Sequence, residues 1–280
     1  MKKIAIITII DYSNYGNRLQ NYALQIILLK NKFQVETIQN LDGIYNKNYY
    51  RIVKRKLGDI VKKFSSNPIN KKYISLINFS KNISKSKNLI DKNHIDKNIT
   101  YFYDYFIVGS DQVWNPNFGR LSDVDLLSFV EPSKRISFSA SFGISKLPKQ
   151  YHEKAKKELS KFKAISVRED AGKKIIEDVV GRNDVEVLVD PTMLLTADEW
   201  DKVSKKPKML KNDKFILNYF LGELSEQRKN EINRVAKEND CEVINILDKN
   251  SPFYECGPSE FLYLEKHAFL ICTDSFHSSV

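Results

Sequence analysis

Long apolar runs are missing from this sequence. No stretch of about 18 apolar residues occurs, the length a helix needs to cross a bilayer, so no membrane span is expected. The run from Ile4 to Ile10 follows two lysines, as in a signal peptide. Asp11 ends it, however, and no small-residue cleavage site follows, so it reads as a buried first strand. Cysteine is scarce: Cys241, Cys256 and Cys272 are odd in number, widely spaced and without a CxxC pair. That argues against a disulfide framework and a zinc site, and it suggests a reducing, cytoplasmic setting. Also absent are GxGxxG, a Walker loop, HExxH and a Ser-His-Asp pattern. No cofactor and no metal site is therefore expected. Signatures of RNA- or DNA-binding modules are lacking too, and nucleic acid is not an expected partner.

What is present is an ordinary globular composition, 42% hydrophobic and 29% charged over 280 residues, enough for a sizeable core in about two domains. The net charge of +10 is not evenly spread. Residues 47–97 hold fourteen Lys/Arg against three acids, Asp59, Asp91 and Asp96, so this segment accounts for the whole imbalance. It reads as a solvated Lys/Asn-rich insertion, or as a face that meets anionic lipid headgroups at a membrane surface.

Along the chain, strand-like and helix-like patterns alternate. Residues 3–10 are apolar and β-branched, Leu19, Ala23, Ile26 and Ile27 recur at helical spacing, and residues 35–38 resume a strand. Helical patches are expected within the basic segment, as at 50–64, in a loosely packed lobe. Strands are expected at 105–108, 135–142, 164–167 and 185–189, with helices from Pro148 and from Arg168. The charged, non-periodic stretch 203–213 marks a domain boundary. Beyond it, strands at 215–220, 241–247 and 269–272 alternate with helices at 225–238 and 259–266. The expected class is α/β with doubly wound sheets. The N-terminal domain spans 1–205, with the insertion at about 45–100, and a partial second domain spans 206–280. The second domain reads as incomplete at Val280, or as covered by a partner.

In open parallel sheets, ligands bind at the carboxyl ends of strands. Four loops qualify. Asn14, Gly16, Asn17 and Gln20 follow the first strand, where a tight turn or an anion contact both fit. In Ser110-Asp111-Gln112-Val113-Trp114, Asp111 is either a cap or a general base. Trp114 is either a packing residue or a platform for a sugar ring. Arg168, at a strand-to-helix handover, suits a carboxylate or phosphate, unless Glu169 or Asp170 pairs with it. Ser275 and His277 open the last helix, and an imidazole there is a candidate general base.

Taken together, NYGNRLQNYALQ (14–25), FIVGSDQVWNP (106–116), KRISFSASFG (134–143), ISVREDAG (165–172), VDPTMLL (189–195), GPSEFL (257–262) and TDSFH (273–277) resemble the polysaccharide pyruvyl transferase family. The resemblance implies two Rossmann-like domains of GT-B type. It also implies transfer of the pyruvyl unit of phosphoenolpyruvate to a sugar of a cell-surface polysaccharide or its precursor, free or lipid-linked. Arg168, Asp111 and His277 are then the expected catalytic residues, and Asn14, Gly16, Asn17, Gln20, Ser110, Trp114 and Ser275 the expected substrate contacts. Where members resemble an Arg-Leu-His pattern, this chain has Ser275-Phe276-His277. Two other readings fit the same architecture: a nucleotide-sugar-dependent glycosyltransferase and an inactive, glycan-binding relative.

Overall fold

A computed structural model describes residues 1–10, 14–40, 58, 62–63, 65–90 and 95–280. Most of the helical patch expected at 50–64, and His94, lie outside the described residues. The chain divides into two compact units. One comprises the described residues of Met1–Asp11, Asn17–Asn48 and Asn82–Leu194; the other those of Tyr12–Gly16, Tyr49–Lys81 and Leu195–Val280.

The larger unit is built on a seven-stranded sheet in the order β3-β2-β1-β4-β5-β6-β7. The strands are β1 (Lys3–Ile7), β2 (Gln34–Asn40), β3 (Lys85–Ile90), β4 (Tyr105–Val108), β5 (Arg135–Ala140), β6 (Ala164–Val167) and β7 (Val185–Val187), and every pairing is parallel. The reason β1 is an unbroken apolar run is visible in where its side chains go. Ala5 and Ile7 join one core cluster with Ile38, Phe106 and Val108. Ile4 and Ile6 join another with Leu24, Leu28, Val35 and Ile107. Successive strand residues face opposite sides, and both sides are covered, as parallel sheets require. Helix α1 (Tyr15–Lys30) follows β1. The chain first moves outward to β2 and β3, then returns to place β4 on the other side of β1. The order therefore reverses between β1 and β4, where doubly wound sheets bind ligands.

The smaller unit has a three-stranded parallel sheet, order β10-β8-β9, from β8 (Phe215–Tyr219), β9 (Glu242–Asn245) and β10 (Leu270–Thr273). It also contains α2 (Pro68–Phe79) from the basic segment and α5 (Ala197–Asp201), while α3 (His152–Leu159) and α4 (Asp170–Ile175) belong to the larger unit. Asn67 caps α2 by accepting from the Ile69 N–H at 2.9 Å, and Pro68 occupies the first turn, a favourable N-terminal pairing.

The basic segment departs from the expected loose lobe at these two described elements. Residues 85–90 form β3 at the sheet edge, where the exposed Lys87 discourages further strand pairing. Within the smaller unit, α2 buries Lys72, Leu76 and Phe79. The Lys72 ammonium lies 4.8 Å from the centre of the Tyr15 ring and 4.6 Å from that of Tyr254, and donates to the Ile246 carbonyl at 3.4 Å. Burial lowers its pKa to about 8. Lys71 pairs with Glu255 at 3.0 Å. Both cations are thus engaged inside the unit.

No helix among the described residues is long and apolar enough to cross a membrane.

Candidate active site

In the larger unit the strand-end loops converge on one buried carboxylate, Asp190, which is fully shielded from solvent. Its Oδ2 accepts from Ser110 Oγ at 2.7 Å and from Arg168 Nη1 at 3.1 Å; its Oδ1 accepts from the Thr192 N–H at 3.0 Å and the Thr192 hydroxyl at 2.9 Å. Such saturation is what makes a buried carboxylate tolerable. Asp111 Oδ1 stands 3.7 Å from Arg168 Nη1 and accepts the Gln112 N–H at 2.8 Å. Glu169, the neighbour expected to compete for Arg168, is only 3.9 Å from its Nε. The other oxygen of Glu169 accepts from Ser141 Oγ and the Phe142 N–H at 2.9 and 3.0 Å.

Ser110 is fixed from several sides. Its N–H donates to Gln20 Oε1 at 3.1 Å, while Gln20 Nε2 donates to Thr8 Oγ1 at 2.8 Å and to the Asn17 carbonyl at 3.2 Å. The Thr8 hydroxyl returns to the Ser110 carbonyl at 3.1 Å. Gly109 enters this turn at φ +113°, and a Cβ there would lie 2.3 Å from the Phe138 carbonyl oxygen, so only glycine fits. The loops after β1 and β4 are thereby locked to each other at the point where strand order reverses.

In the smaller unit, Tyr15 and Gly16 meet the elements around β8 and β10. Tyr15 is the anchor: it stacks on Phe261 at 4.9 Å, lies 5.8 Å from Tyr219, and donates its hydroxyl to the Cys256 carbonyl at 2.8 Å. Burial pushes its pKa well above the ordinary value. Gly16 then touches His277. A Cβ built on Gly16 would lie 2.3 Å from His277 Nδ1, so the imidazole rests where a side chain would otherwise be. His277 sits in α8 (Phe276–Ser279), whose Ser275 cap position is buried and accepts, through its carbonyl, the Ser278 N–H at 3.2 Å and the Ser279 hydroxyl at 2.9 Å. Glu265, on the helix α7 (Pro258–His267), accepts the Ser278 hydroxyl at 2.5 Å. Burial raises the Glu265 carboxyl to about 7 despite that bond. Asp274 takes the N–H groups of Leu221 and Gly222 at 2.6 and 3.0 Å, which hold its carboxyl below the usual range.

Of the residues expected from sequence, the larger unit brings together Ser110, Asp111, Arg168, Gln20 and Asn17, and the smaller unit brings together Gly16 and His277, with Ser275 at the foot of the same helix. Asn14 is half-buried beside Tyr15. Ser110 and Gln20 are fully buried and hold the loops rather than face a ligand directly. Trp114 corrects the sugar-platform expectation. It is fully buried, packs 5.2 Å from Phe142 and 6.0 Å from Phe162, and donates its indole N–H to the Asp125 carbonyl. Its faces serve the core.

Three contributors were not singled out from sequence: Asp190, Tyr15 and Glu265. Asp190 carried one signal, an acidic residue between the end of a strand and a proline. Among the described residues no group of three or more His, Cys, Asp or Glu is arranged to hold a metal ion.

A family model described as polysaccharide pyruvyl transferase matches residues 14–280, a span that includes Ser110, Asp111, Arg168, Asp190 and His277. No curated protein matches the chain.

Proposed function

Because the chain belongs to the polysaccharide pyruvyl transferase family, a family of transferases acting on polysaccharide, we propose that it moves the pyruvyl unit of phosphoenolpyruvate onto a hydroxyl-bearing sugar of a cell-surface glycan or its precursor. The observation that carries this reading is the Ser110–Asp111–Arg168–Asp190 cluster at the strand-order reversal. It holds one guanidinium beside two carboxylates at the end of a parallel sheet. The finer architecture in this reading is two Rossmann-like lobes of GT-B type.

The chemistry asks for few groups. Protonation of the enol methylene makes C2 of the donor electrophilic. An acceptor hydroxyl adds there and gives up its proton, and the C2–O bond to phosphate breaks. A second hydroxyl of the same sugar adding at C2 gives a cyclic ketal and inorganic phosphate. In this scheme Arg168 holds the donor's carboxylate or phosphate, as a planar, permanently charged fork does best. Asp111 or His277 exchanges the protons. Asn14, Gly16, Asn17 and Ser275 shape the backbone that the substrates meet. The acceptor is free or lipid-linked, and the cations of residues 47–97 other than Lys71 and Lys72 are its contact with an anionic headgroup layer.

Incubating the purified full chain with phosphoenolpyruvate and a glycan acceptor tests this. Release of inorganic phosphate that depends on the acceptor is the expected result. Release of a nucleoside diphosphate from a nucleotide sugar, with phosphoenolpyruvate untouched, would replace the proposal with glycosyl transfer.

A further inference from the structure

The smaller unit contains a cavity of about 870 Å³ that none of the residues above occupies. It opens at the carboxyl ends of β8 and β9, beside the start of helix α6 (Glu226–Glu238). Its volume falls in the range of small-molecule pockets, ~300–1,000 Å³, and its place is where parallel sheets bind ligands.

One wall is unusual. Asn218 and Asn245 are direct partners in the β8–β9 register, so their carboxamides stand side by side on one face. Two residues earlier the same face carries Ile216 and Val243, which cluster with Ile232 of α6. The apolar layer thus gives way to a polar pair just where the cavity begins. Asn218 is 7% exposed, and its Oδ1 is buried without a hydrogen-bond partner. A buried amide oxygen left without a donor is unfavourable, so the site rewards a ligand that supplies one. Asn245 is oriented by its own turn, since its Oδ1 accepts the Leu247 N–H at 3.0 Å, leaving its NH₂ as a donor. An acceptor and a donor thus lie next to each other.

The charge around the rim selects the ligand class. Glu223, Glu226 and Asp248 line the cavity, opposed only by Lys229, which is already held by Glu226 at 2.6 Å. A surface of that sign repels phosphate and carboxylate. It suits hydroxyl groups, which donate to carboxylates and exchange hydrogen bonds with paired amides. The rim residue Gly222 is tied to Asp274 at 3.0 Å, so the cavity adjoins the loop that leads into His277.

We infer that this cavity binds neutral, hydroxyl-rich sugar rings of the acceptor glycan, with Asn218 and Asn245 reading neighbouring hydroxyls. The inference rests on the transferase reading for the word acceptor. The anionic donor is held elsewhere.

The test uses the full chain, saturation-transfer NMR with a panel of gluco-, galacto-, manno- and N-acetylhexosamine disaccharides, and separate titration with phosphoenolpyruvate. At least one disaccharide binds. Asn218→Leu, which keeps the branched outline but removes the amide, weakens it about ten-fold or more. Asn233→Trp, at an exposed α6 position on the cavity wall, does the same without touching the sheet. Phosphoenolpyruvate affinity is unchanged in both. The site is refuted if no disaccharide binds the parent chain, if both variants bind sugar as well as the parent, or if they lose phosphoenolpyruvate instead. Sugar binding that responds to both variants in a chain that never consumes phosphoenolpyruvate would overturn the transferase reading and leave the sugar site standing.

Discussion

The two units solve the same problem, what to do with polar groups at strand ends, in opposite ways. In the seven-stranded unit Asp190, Ser110, Gln20 and Thr8 are all engaged with one another or with neighbouring backbone. In the three-stranded unit the Asn218 amide is buried beside open space. The core behind each differs in step. The larger sheet is covered on both faces by extended clusters; in the smaller one Phe215, Leu217 and Tyr219 are buried on one face, while the face that carries Asn218 rests on Ile216, Ile232 and Ala236 with partly exposed neighbours. A saturated cluster fixes a charge in place, while an unsaturated one reserves hydrogen bonds for something that arrives later.

The sharpest way to break this contrast is to remove its hub. Asp190→Ala leaves Arg168 and Ser110 facing a hole and is expected to cost about 3–5 kcal/mol, read as a drop in the urea midpoint. Asp190→Asn should recover part of it. Next is Gly16→Ala. The new Cβ meets His277 Nδ1 at 2.3 Å, so the imidazole must move. Acceptor-dependent phosphate release should fall about ten-fold or more, approaching His277→Ala at roughly 100-fold, with the urea midpoint nearly unchanged. Parent-level turnover in both variants would remove His277 from the chemistry. Trp114→Phe comes third, at about 1–2 kcal/mol for a lost indole bond and a small void; normal stability would show that the larger unit is less tightly packed than described.

The smallest effect concerns pH. The folded Glu265 carboxyl is raised to about 7 from an ordinary 4.5, with burial as the cause. The folded chain therefore binds this proton more tightly than the unfolded chain does. Stability is highest below 4.5 as far as this group is concerned, and declines as pH rises through that window to about 7. Glu265→Gln should flatten the decline in urea midpoints taken across it. An unaltered slope would mean that Glu265 is well hydrated.

Local pattern carried much of the architecture. β4 and β6 coincide with the apolar runs at 105–108 and 164–167, and the alternation of strands and helices foretold parallel sheets. β3 escaped notice because its burial pattern has only two buried positions, Ser86 and Ile90, amid lysines and asparagine. Arg168 and His277 stand out in the sequence by residue type alone, and the structure places Arg168 on Asp190 and His277 against Gly16. The rest was hidden where meaning depends on register or on distant partners. Asp190 matters because the β7 end returns beside β6. Trp114 is buried because Phe142 and Phe162 come to it, and Asn218 acquires its neighbour only once β9 has paired with β8.

The grip of Asp190 on Arg168 reaches beyond geometry. A free arginine samples many rotamers, and stilling one takes up to about 2 kcal/mol. Here the chain surrenders that freedom as it folds, before any anion approaches. The entropic penalty falls on the stability of the larger unit; under the proposed function it is then absent from the affinity for the donor, and even a small, weakly held anion would meet a guanidinium that is already still.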